Sequence, residues 1–235
     1  MKVLLFAVSM FLALVRADIG VAQITVNGAI FHLKFGDRPV QNVTVGNSSP
    51  DPFYVQVTVD EILDPADGGA KMQPSTDLLA SPKSFSIQGN GTRTVRLLRK
   101  APPGESERVY RVAFAPQDRG LGDQVDLSGG ARKAMIRVLT GMGILVYADP
   151  INPHAELSWE RTKDSLIFKN SGNVHVQISS GKSCTPGTTI CKELPGKRIY
   201  AQRSFEVKVP ASELVKYVKK DVKSGDFQEI IIEPQ

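Results

Sequence analysis

The sequence predicts an all-β protein made of two immunoglobulin-like β-sandwich domains, which are joined by a short proline-containing hinge. The first observation is that segments with apolar residues at alternate positions follow one another along almost the whole chain. The second is that clusters of Gly, Pro, Asn, Asp and Ser separate these segments at short intervals, as in sandwiches of many short strands. The third is that no amphipathic helix of useful length occurs before residue 210.

The first domain is predicted to span residues 18–148. Its strand-like segments are, in chain order, AQITVNGAIFHLKF, VQNVTVGN, PFYVQVTVDEIL, SFSIQ, RTVRLLR, ERVYRVAFAP and the segment 131–150. Turn sequences such as GNSSPDP, DPADGGAKMQPSTD and KAPPGES separate them. Their prolines and glycines favour turns over a continuing strand ladder.

The second domain is predicted to span residues 149–235. The segment DPINP, residues 149–153, carries two prolines and is interpreted as the hinge. The alternating pattern then restarts with AELSWER, DSLIFKN, NVHVQISS, KRIYAQ, SFEVKVP and FQEIIIEP. Near residue 215, ASELVKYVKK fits either a short helix or a strand with a loop.

The N-terminus predicts export from the cytoplasm. Residues 1–17, MKVLLFAVSMFLALVRA, combine a lysine with an apolar run that is too short to span a bilayer comfortably, then small residues at a cleavage position. We interpret them as a signal peptide; a membrane anchor is the alternative. Removal of Lys2 and Arg16 lowers the formal net charge from +5 to +3. The remaining charges are scattered, so neither nucleic acid nor membrane insertion is expected of the mature chain.

The two cysteines predict a disulfide. Cys184 and Cys191 enclose six residues that include Pro and Gly. In an exported chain such a pair is typical of a disulfide that closes a hairpin. The spacing is not C-x-x-C, so redox chemistry is not expected.

Groups that could converge on an active site are few. His32, His154 and His175 lie in unrelated contexts, and none has a partner at metal-ligand spacing. G-x-S-x-G, H-E-x-x-H and a phosphate-binding glycine loop are all absent from the sequence. We therefore expect no enzyme activity, no metal and no cofactor, with the histidines as surface or hydrogen-bonded structural residues.

The segment ARKAMIRVLTGMGILVYADP, residues 131–150, predicts an unusually long apolar strand. Its period-two pattern places a set of apolar residues on one face, namely Ile136, Val138, Met142, Ile144 and Val146. Soluble proteins usually avoid such a strand at a sheet edge, because other chains pair with it. The alternative is a strand that packs inside its own domain, and a change of register by one residue would exchange the two faces.

Three Asn-x-Ser/Thr triplets begin at Asn42, Asn47 and Asn90. They would allow N-glycosylation of an exported eukaryotic protein. They support an alternative function as a secreted or cell-surface immunoglobulin-like adhesion or binding protein.

Several motifs resemble the PapD-like periplasmic pilus chaperones. LLASPKSFSIQGNGTRTVRLLRK, ESERVYRVAFAP and GILVYADP are similar to the N-terminal domain of that family. LIFKNSGNVHVQI, the cysteine pair and LPGKRIY are similar to its C-terminal domain. The resemblance spans nearly the whole mature chain. It implies two immunoglobulin-like domains, a periplasmic location and a role in the chaperone–usher pathway without cofactor or catalysis.

The resemblance also implies a mechanism, donor-strand complementation. The chaperone lends a strand to an incomplete pilin subunit, and an outer-membrane usher then takes the subunit over. The sheet edge near residues 134–144 would then stay unfilled in the isolated molecule, which allows self-association through it. The implied donor residues are Ile136, Val138, Thr140 and Met142.

Classical members of this family hold the subunit's C-terminal carboxylate with an Arg on the first strand and a Lys on the last. NGAIFHLKF and GMGILVY offer no clear pair of this kind, so the chain looks closer to the non-classical (alternative) branch. Arg111 is the candidate substitute, because a guanidinium binds a carboxylate with two hydrogen bonds. An ordinary surface arginine is the alternative, and Lys34 is the second candidate.

Overall fold

A computed structural model describes residues 24–34, 36, 40–117, 139–221 and 225–235. Within these ranges the chain forms eighteen strands, one short 3-10 turn and no α-helix, which confirms the all-β class. Ten strands precede the hinge: β1 (Ile24–Val26), β2 (Ile30–Leu33), β3 (Val40–Asn47), β4 (Phe53–Ile62), β5 (Met72–Pro74), β6 (Leu78–Ser81), β7 (Ser84–Ile87), β8 (Thr92–Arg99), β9 (Arg108–Gln117) and β10 (Met142–Ala148). Eight follow it: β11 (Leu157–Arg161), β12 (Ser165–Asn170), β13 (Val176–Cys184), β14 (Cys191–Leu194), β15 (Lys197–Ile199), β16 (Ser204–Lys208), β17 (Leu214–Lys220) and β18 (Phe227–Ile232).

Two sheets form the N-terminal sandwich. One has the strand order β1-β3-β8-β6, and the other has the order β2-β10-β9-β4-β5, with β7 also paired to β4. Inward residues alternate along the strands, as in β8, where Val95 and Leu97 are buried between exposed neighbours. They share one apolar core with Val112 and Phe114 of β9. The alternation in the sequence therefore defines the inner faces of both sheets.

Two further sheets form the C-terminal sandwich. Their strand orders are β11-β12-β16 and β14-β13-β17-β18, with β15 also paired to β13. Leu166, Phe168, Ile178 and Tyr217 contribute to its core, and the rings of Phe168 and Tyr217 meet edge to face at 5.2 Å between centroids. Each sheet takes its described strands from one side of the hinge only. The predicted boundary between residues 148 and 149 stays a prediction.

The segment AQITVNGAIFHLKF forms two strands, where one was predicted. β1 pairs with β3 in the first sheet, whereas β2 pairs in parallel with β10 in the second. The chain crosses between the sheets at residues 27–29. There the Asn27 backbone N–H donates to the Thr44 carbonyl at 3.1 Å, and the Thr44 N–H donates to Asn27 Oδ1 at 2.8 Å.

Other segments also differ from the prediction. A segment predicted as a turn contains β5, and ASELVKYVKK forms the strand β17. The long strand predicted over residues 131–150 is shorter in the part that the structure describes, because β10 begins at Met142 and Thr140 lies before it. Residues 131–138 and the predicted signal peptide, 1–17, lie outside the described residues. In the described part of the chain, no helix has the length and apolarity needed to cross a membrane.

Candidate functional site: an open strand edge and the domain junction

β10 has two neighbouring strands along only part of its length. β9 pairs antiparallel with the whole of β10. On the other side, β2 pairs in parallel with residues 145–148, and the Leu145 N–H donates to the Ala29 carbonyl at 2.9 Å. Within the described ranges, no strand pairs with that side of residues 142–144. Among the described strands the sheet is therefore open at the start of β10 and closed toward the hinge.

The residues implied as donors lie at and before this open edge. Ile144, on the same face, is 1% exposed in the core of its own domain, and Met142 is half-buried against that core. Thr140 is exposed. Ile136 and Val138 lie outside the described residues, so their role as donors stays a prediction. Along this face the side chains thus change from buried at Ile144 to half-buried at Met142 and exposed at Thr140.

Arg111 lies beside the open edge. It is an exposed residue on the outer face of β9, in register between Asp60 of β4 and Leu145 of β10. A Cβ atom on Gly143 would lie 3.5 Å from Arg111 Nε, an ordinary van der Waals contact, so the guanidinium lies next to the edge strand at Gly143. Arg111 forms no salt bridge with any residue that the structure describes. Its role as the anchor for an anion of another chain stays a prediction.

Lys34 is exposed and lies directly after β2. Ile30 of β2 lies opposite Leu145, the β10 residue next to Arg111. Lys34 is four residues beyond Ile30, which corresponds to about 13 Å along a strand. The two cations predicted as anchors therefore lie at different places along the strand, and Arg111 is the one near the open edge.

A cluster of rings and charges joins the two domains at the closed end of β10. We call it the junction cluster, and its members are His32, Glu107, Tyr147, His175, Arg198 and Tyr200. The His32 ring stacks on Tyr147 at 5.3 Å between centroids, and the His175 ring lies 6.0 Å from His32 and 4.5 Å from Tyr147. The expectation that the histidines lie in unrelated contexts is therefore wrong for His32 and His175, which the fold brings together from opposite domains.

Glu107 and His175 form a buried pair across the junction. The two carboxylate oxygens lie 2.8 and 2.9 Å from His175 Nδ1, and the Glu107 and His175 side chains are 2% and 4% exposed. The His175 backbone N–H also donates to Glu107 Oε2 at 3.2 Å. The Glu107 backbone N–H donates to the Asn173 carbonyl at 2.9 Å. Glu107 therefore fixes the C-terminal domain at two points.

Tyr147 and Arg198 complete the junction. Arg198 Nη1 donates to the Tyr147 hydroxyl, and its guanidinium carbon lies 4.9 Å from the centre of that ring. The Tyr147 hydroxyl also lies 3.3 Å from the Tyr200 hydroxyl. Burial, with the contact to Tyr200, raises the pKa of Tyr147, so this phenol stays neutral. Burial also lowers the pKa of His32, and the neighbouring His175 lowers it further.

The C-terminal domain contributes further cationic and apolar side chains beside the cluster. Gln177 of β13 lies opposite Lys220 of β17, which lies opposite Phe227 of β18. The Lys220 ammonium is 5.9 Å from the Phe227 ring centre, and Phe227 is 70% exposed. Lys220 is close enough to lower the pKa of His32. Sequence reasoning missed Lys220 because ASELVKYVKK fitted a helix or a strand equally well. Period-two spacing would have placed Lys216 and Lys220 on one face.

The predicted disulfide is confirmed. Cys184 of β13 and Cys191 of β14 lie opposite each other and are bonded. Among the described residues, no group of three or more His, Cys, Asp or Glu side chains is arranged to hold a metal ion.

The family comparison concerns the N-terminal domain. Residues 23–124 match the family described as pili and flagellar-assembly chaperone, PapD N-terminal domain. A relative that covers both domains is the probable fimbrial chaperone EcpB of Escherichia coli K12. It is 25% identical over 194 residues, which are 79% of this chain and 84% of EcpB.

Solved structures share the whole architecture. The class 5 fimbriae chaperone CfaA is 19% identical, with a TM-score of 0.65 over 90% of this chain and 100% of CfaA. The Salmonella enterica SafB chaperone, solved in complex with the SafA pilin, gives 14% identity and a TM-score of 0.60 over 91% of this chain and 97% of that one. The two-domain immunoglobulin-like fold is therefore confirmed. The match over residues 23–124 and the shared two-domain fold support the PapD-like pilus chaperone that the sequence motifs predicted.

Proposed function

We propose that this protein is a periplasmic chaperone that captures fimbrial or pilus subunits by donor-strand complementation and delivers them to an outer-membrane usher. The observation that carries this proposal is the open edge at residues 142–144, on an apolar strand that β2 closes farther along. An open edge offers backbone N–H and C=O groups to another chain. That SafB is bound to a pilin supports a pilin as the class of partner.

The donor strand supplies most of the binding free energy in this proposal. Ile136 and Val138 contribute about 1.5–3 kcal/mol each when buried in a subunit groove, and Met142, already half-buried, contributes about 1 kcal/mol, an upper bound of about 4–7 kcal/mol before ordering costs. An exposed ion pair of Arg111 with a subunit carboxylate contributes only about 0–1 kcal/mol. Arg111 therefore sets the register of the subunit more than its affinity, with Lys34 as the second candidate. Assignment to the non-classical branch and self-association of the free chaperone stay predictions.

The adhesion alternative is weakened at one of its three glycosylation triplets. Asn47 is only 4% exposed. Its amide nitrogen donates to the Asp51 carbonyl at 2.7 Å and to the Gln88 carbonyl at 3.1 Å. A glycan on that nitrogen would remove these hydrogen bonds and would have to enter the fold. The triplet at Asn47 is therefore a structural feature, which leaves Asn42 and Asn90 as support for the alternative.

The main experiment removes the apolar donor side chains. The double variant Ile136→Ser/Val138→Ser is co-expressed with a fimbrial subunit, and the subunit that co-purifies is measured. We expect a folded, soluble chaperone that retains less than a tenth of the subunit, because two of the three apolar donors are lost. Ile190→Ser is the matched control, since Ile190 is 72% exposed in the C-terminal domain. Undiminished capture by the double variant would place the donor elsewhere.

A second experiment tests Arg111. Arg111→Ala should weaken subunit capture while leaving the melting temperature within about 2 °C, because the side chain is exposed and makes no salt bridge within the described residues. Arg96→Ala is the control, since Arg96 is an exposed arginine of β8 in the other sheet of the same domain. Equal capture by the two variants would make Arg111 an ordinary surface arginine.

A further inference from the structure

The junction cluster contains several of the contacts between the two domains, whereas the Asp64–Arg203 ion pair at 3.2 Å lies outside it. Besides the Glu107–His175 pair, Tyr147 of the N-terminal domain contacts Arg198 and Tyr200 of the C-terminal domain. Ile62, Val109 and Leu145 pack with Tyr147 and Tyr200 into a small apolar cluster. Charged, aromatic and apolar contacts thus converge on one place, so a change there acts on the angle between the domains.

His32 is the titratable group at the centre of this junction. Its imidazole stacks on Tyr147 and faces the His175 ring at 6.0 Å. The charged groups that act on it are the carboxylate of Glu107 and the cations of Arg198 and Lys220. Near His32 there is thus one carboxylate, Glu107, for two permanent cations, and this carboxylate is already hydrogen-bonded to His175. A proton on His32 adds a further positive charge at a place where the Glu107 carboxylate is already bonded to His175.

We propose that the junction cluster is an acid-sensitive latch: neutral His32 lets the two domains hold a fixed angle, and a proton on His32 loosens that angle and the grip on a bound subunit. The link to the subunit rests on the proposed function. It follows from position, since His32 lies in β2, the strand that closes β10 next to the open edge. A change in β2 therefore reaches the donor strand directly.

The sign of the pH effect follows from the direction of the shift. The pKa of His32 in the folded protein is lowered from its ordinary value of 6.5, chiefly by burial and next by His175. Because the latched state disfavours protonated His32, that state is favoured at a pH above the ordinary pKa of the imidazole. The latch is therefore complete above about pH 7 and weakens as the pH falls below about 6.5.

The test measures domain angle and subunit retention separately. Dyes on Thr94→Cys and Lys163→Cys, one exposed residue in each domain, report the interdomain distance by energy transfer between pH 8 and pH 5. We expect a reversible change with a midpoint below pH 6.5. His32→Gln should abolish it, since glutamine does not titrate. His154→Gln is the matched control and should titrate like the unmodified protein, because His154 is exposed beside the hinge. Persistence of the transition in His32→Gln would overturn the latch.

A second pair of variants makes the test independent of any change in fold at residue 32. Lys220→Gln removes one of the cations that lower the pKa of His32, so the midpoint should move to higher pH. Lys216→Gln removes a lysine farther along β17 and should leave the midpoint in place. An unchanged midpoint in Lys220→Gln would contradict the electrostatic basis of the latch.

Subunit release is followed in a second assay. Dissociation of a purified chaperone–subunit complex should be at least threefold faster at pH 5.5 than at pH 7.5, and His32→Gln should remove the difference. If the dye signal moves and dissociation does not, the link to the subunit is wrong and the proposed function stands. If Ile136→Ser/Val138→Ser leaves capture intact, the proposed function fails, and the dye signal still decides whether the latch exists.

Discussion

The substitution Met142→Ser tests whether the apolar face of β10 changes its role along the strand. Ile144 is 1% exposed in the core of its own domain, whereas Met142 is half-buried at the open edge. If the residues before Ile144 serve a partner, their replacement should impair capture more than folding. If they serve only this domain, Met142→Ser and Ile144→Ser should differ only in the loss of stability that follows from how deeply each side chain is buried.

The burial of each side chain gives the expected magnitudes. Ile144→Ser removes a fully buried side chain and leaves a cavity with a hydroxyl, so it should lower the free energy of unfolding by about 3–5 kcal/mol. Met142→Ser loses about half of the roughly 1.5–3 kcal/mol of a fully buried side chain, or about 1 kcal/mol. The other half of Met142 becomes buried only in the complex. Its loss there, about 1 kcal/mol, corresponds to roughly fivefold weaker capture.

Urea unfolding measures the stability, and competition measures the capture. Differently tagged Met142→Ser and unmodified chaperones are co-expressed with one subunit, and mass spectrometry gives the ratio of the two complexes. We expect about one variant complex to five unmodified ones. Met72→Ser, at an exposed methionine of β5, should give a ratio near one. A ratio near one for Met142→Ser, or a stability loss equal to that of Ile144→Ser, would refute the reasoning.

Two further predictions concern the C-terminal domain. Gly181→Ala should lower the free energy of unfolding by about 2–4 kcal/mol, because the new Cβ would clash with the ring of Tyr217. That ring cannot easily move, since Tyr217 is 1% exposed and its hydroxyl donates to the Pro195 carbonyl. In a Tyr217→Leu background, which lacks those ring atoms, Gly181→Ala should cost less than about 1 kcal/mol in urea unfolding, and additive costs would exclude the clash. Cys184→Ser/Cys191→Ser should lower the free energy of unfolding by about 2.5 kcal/mol, since the ring is short. The same loss should appear when the unmodified protein is reduced, and an unchanged unfolding midpoint would show that the disulfide contributes no stability.

Local patterns in the sequence predicted what depends on local chemistry. Period-two spacing gave most of the strands, and the short separation of Cys184 and Cys191 gave the disulfide. Turn residues at 149–153 indicated where the first group of sheets ends. In each case the physical cause lies within about ten residues of chain, so it is visible before the fold is known.

Contacts between distant segments left no such signal. The junction cluster takes His32, Glu107, Tyr147 and His175 from four separate parts of the chain, and nothing near any one of them indicates the others. The crossing at residues 27–29 was missed for a different reason. Apolar residues at alternate positions continue from Ile24 through Val26 to Ile30 and so resemble a single strand. The buried face nevertheless changes at the crossing, because Ile30 is 44% exposed and Leu33 is the buried residue of β2.

That crossing is also what leaves the edge of β10 open. In the parallel register Ile30 lies opposite Leu145, so an extension of β2 by two residues would place Gly28 opposite Gly143 and would close the edge. The chain does not take this path, because Asn27 is hydrogen-bonded to Thr44 in the other sheet. β1 then buries Ile24, 1% exposed, in the core. The segment that completes the core of the N-terminal domain is therefore the one that leaves the start of β10 without a second neighbouring strand among the described residues.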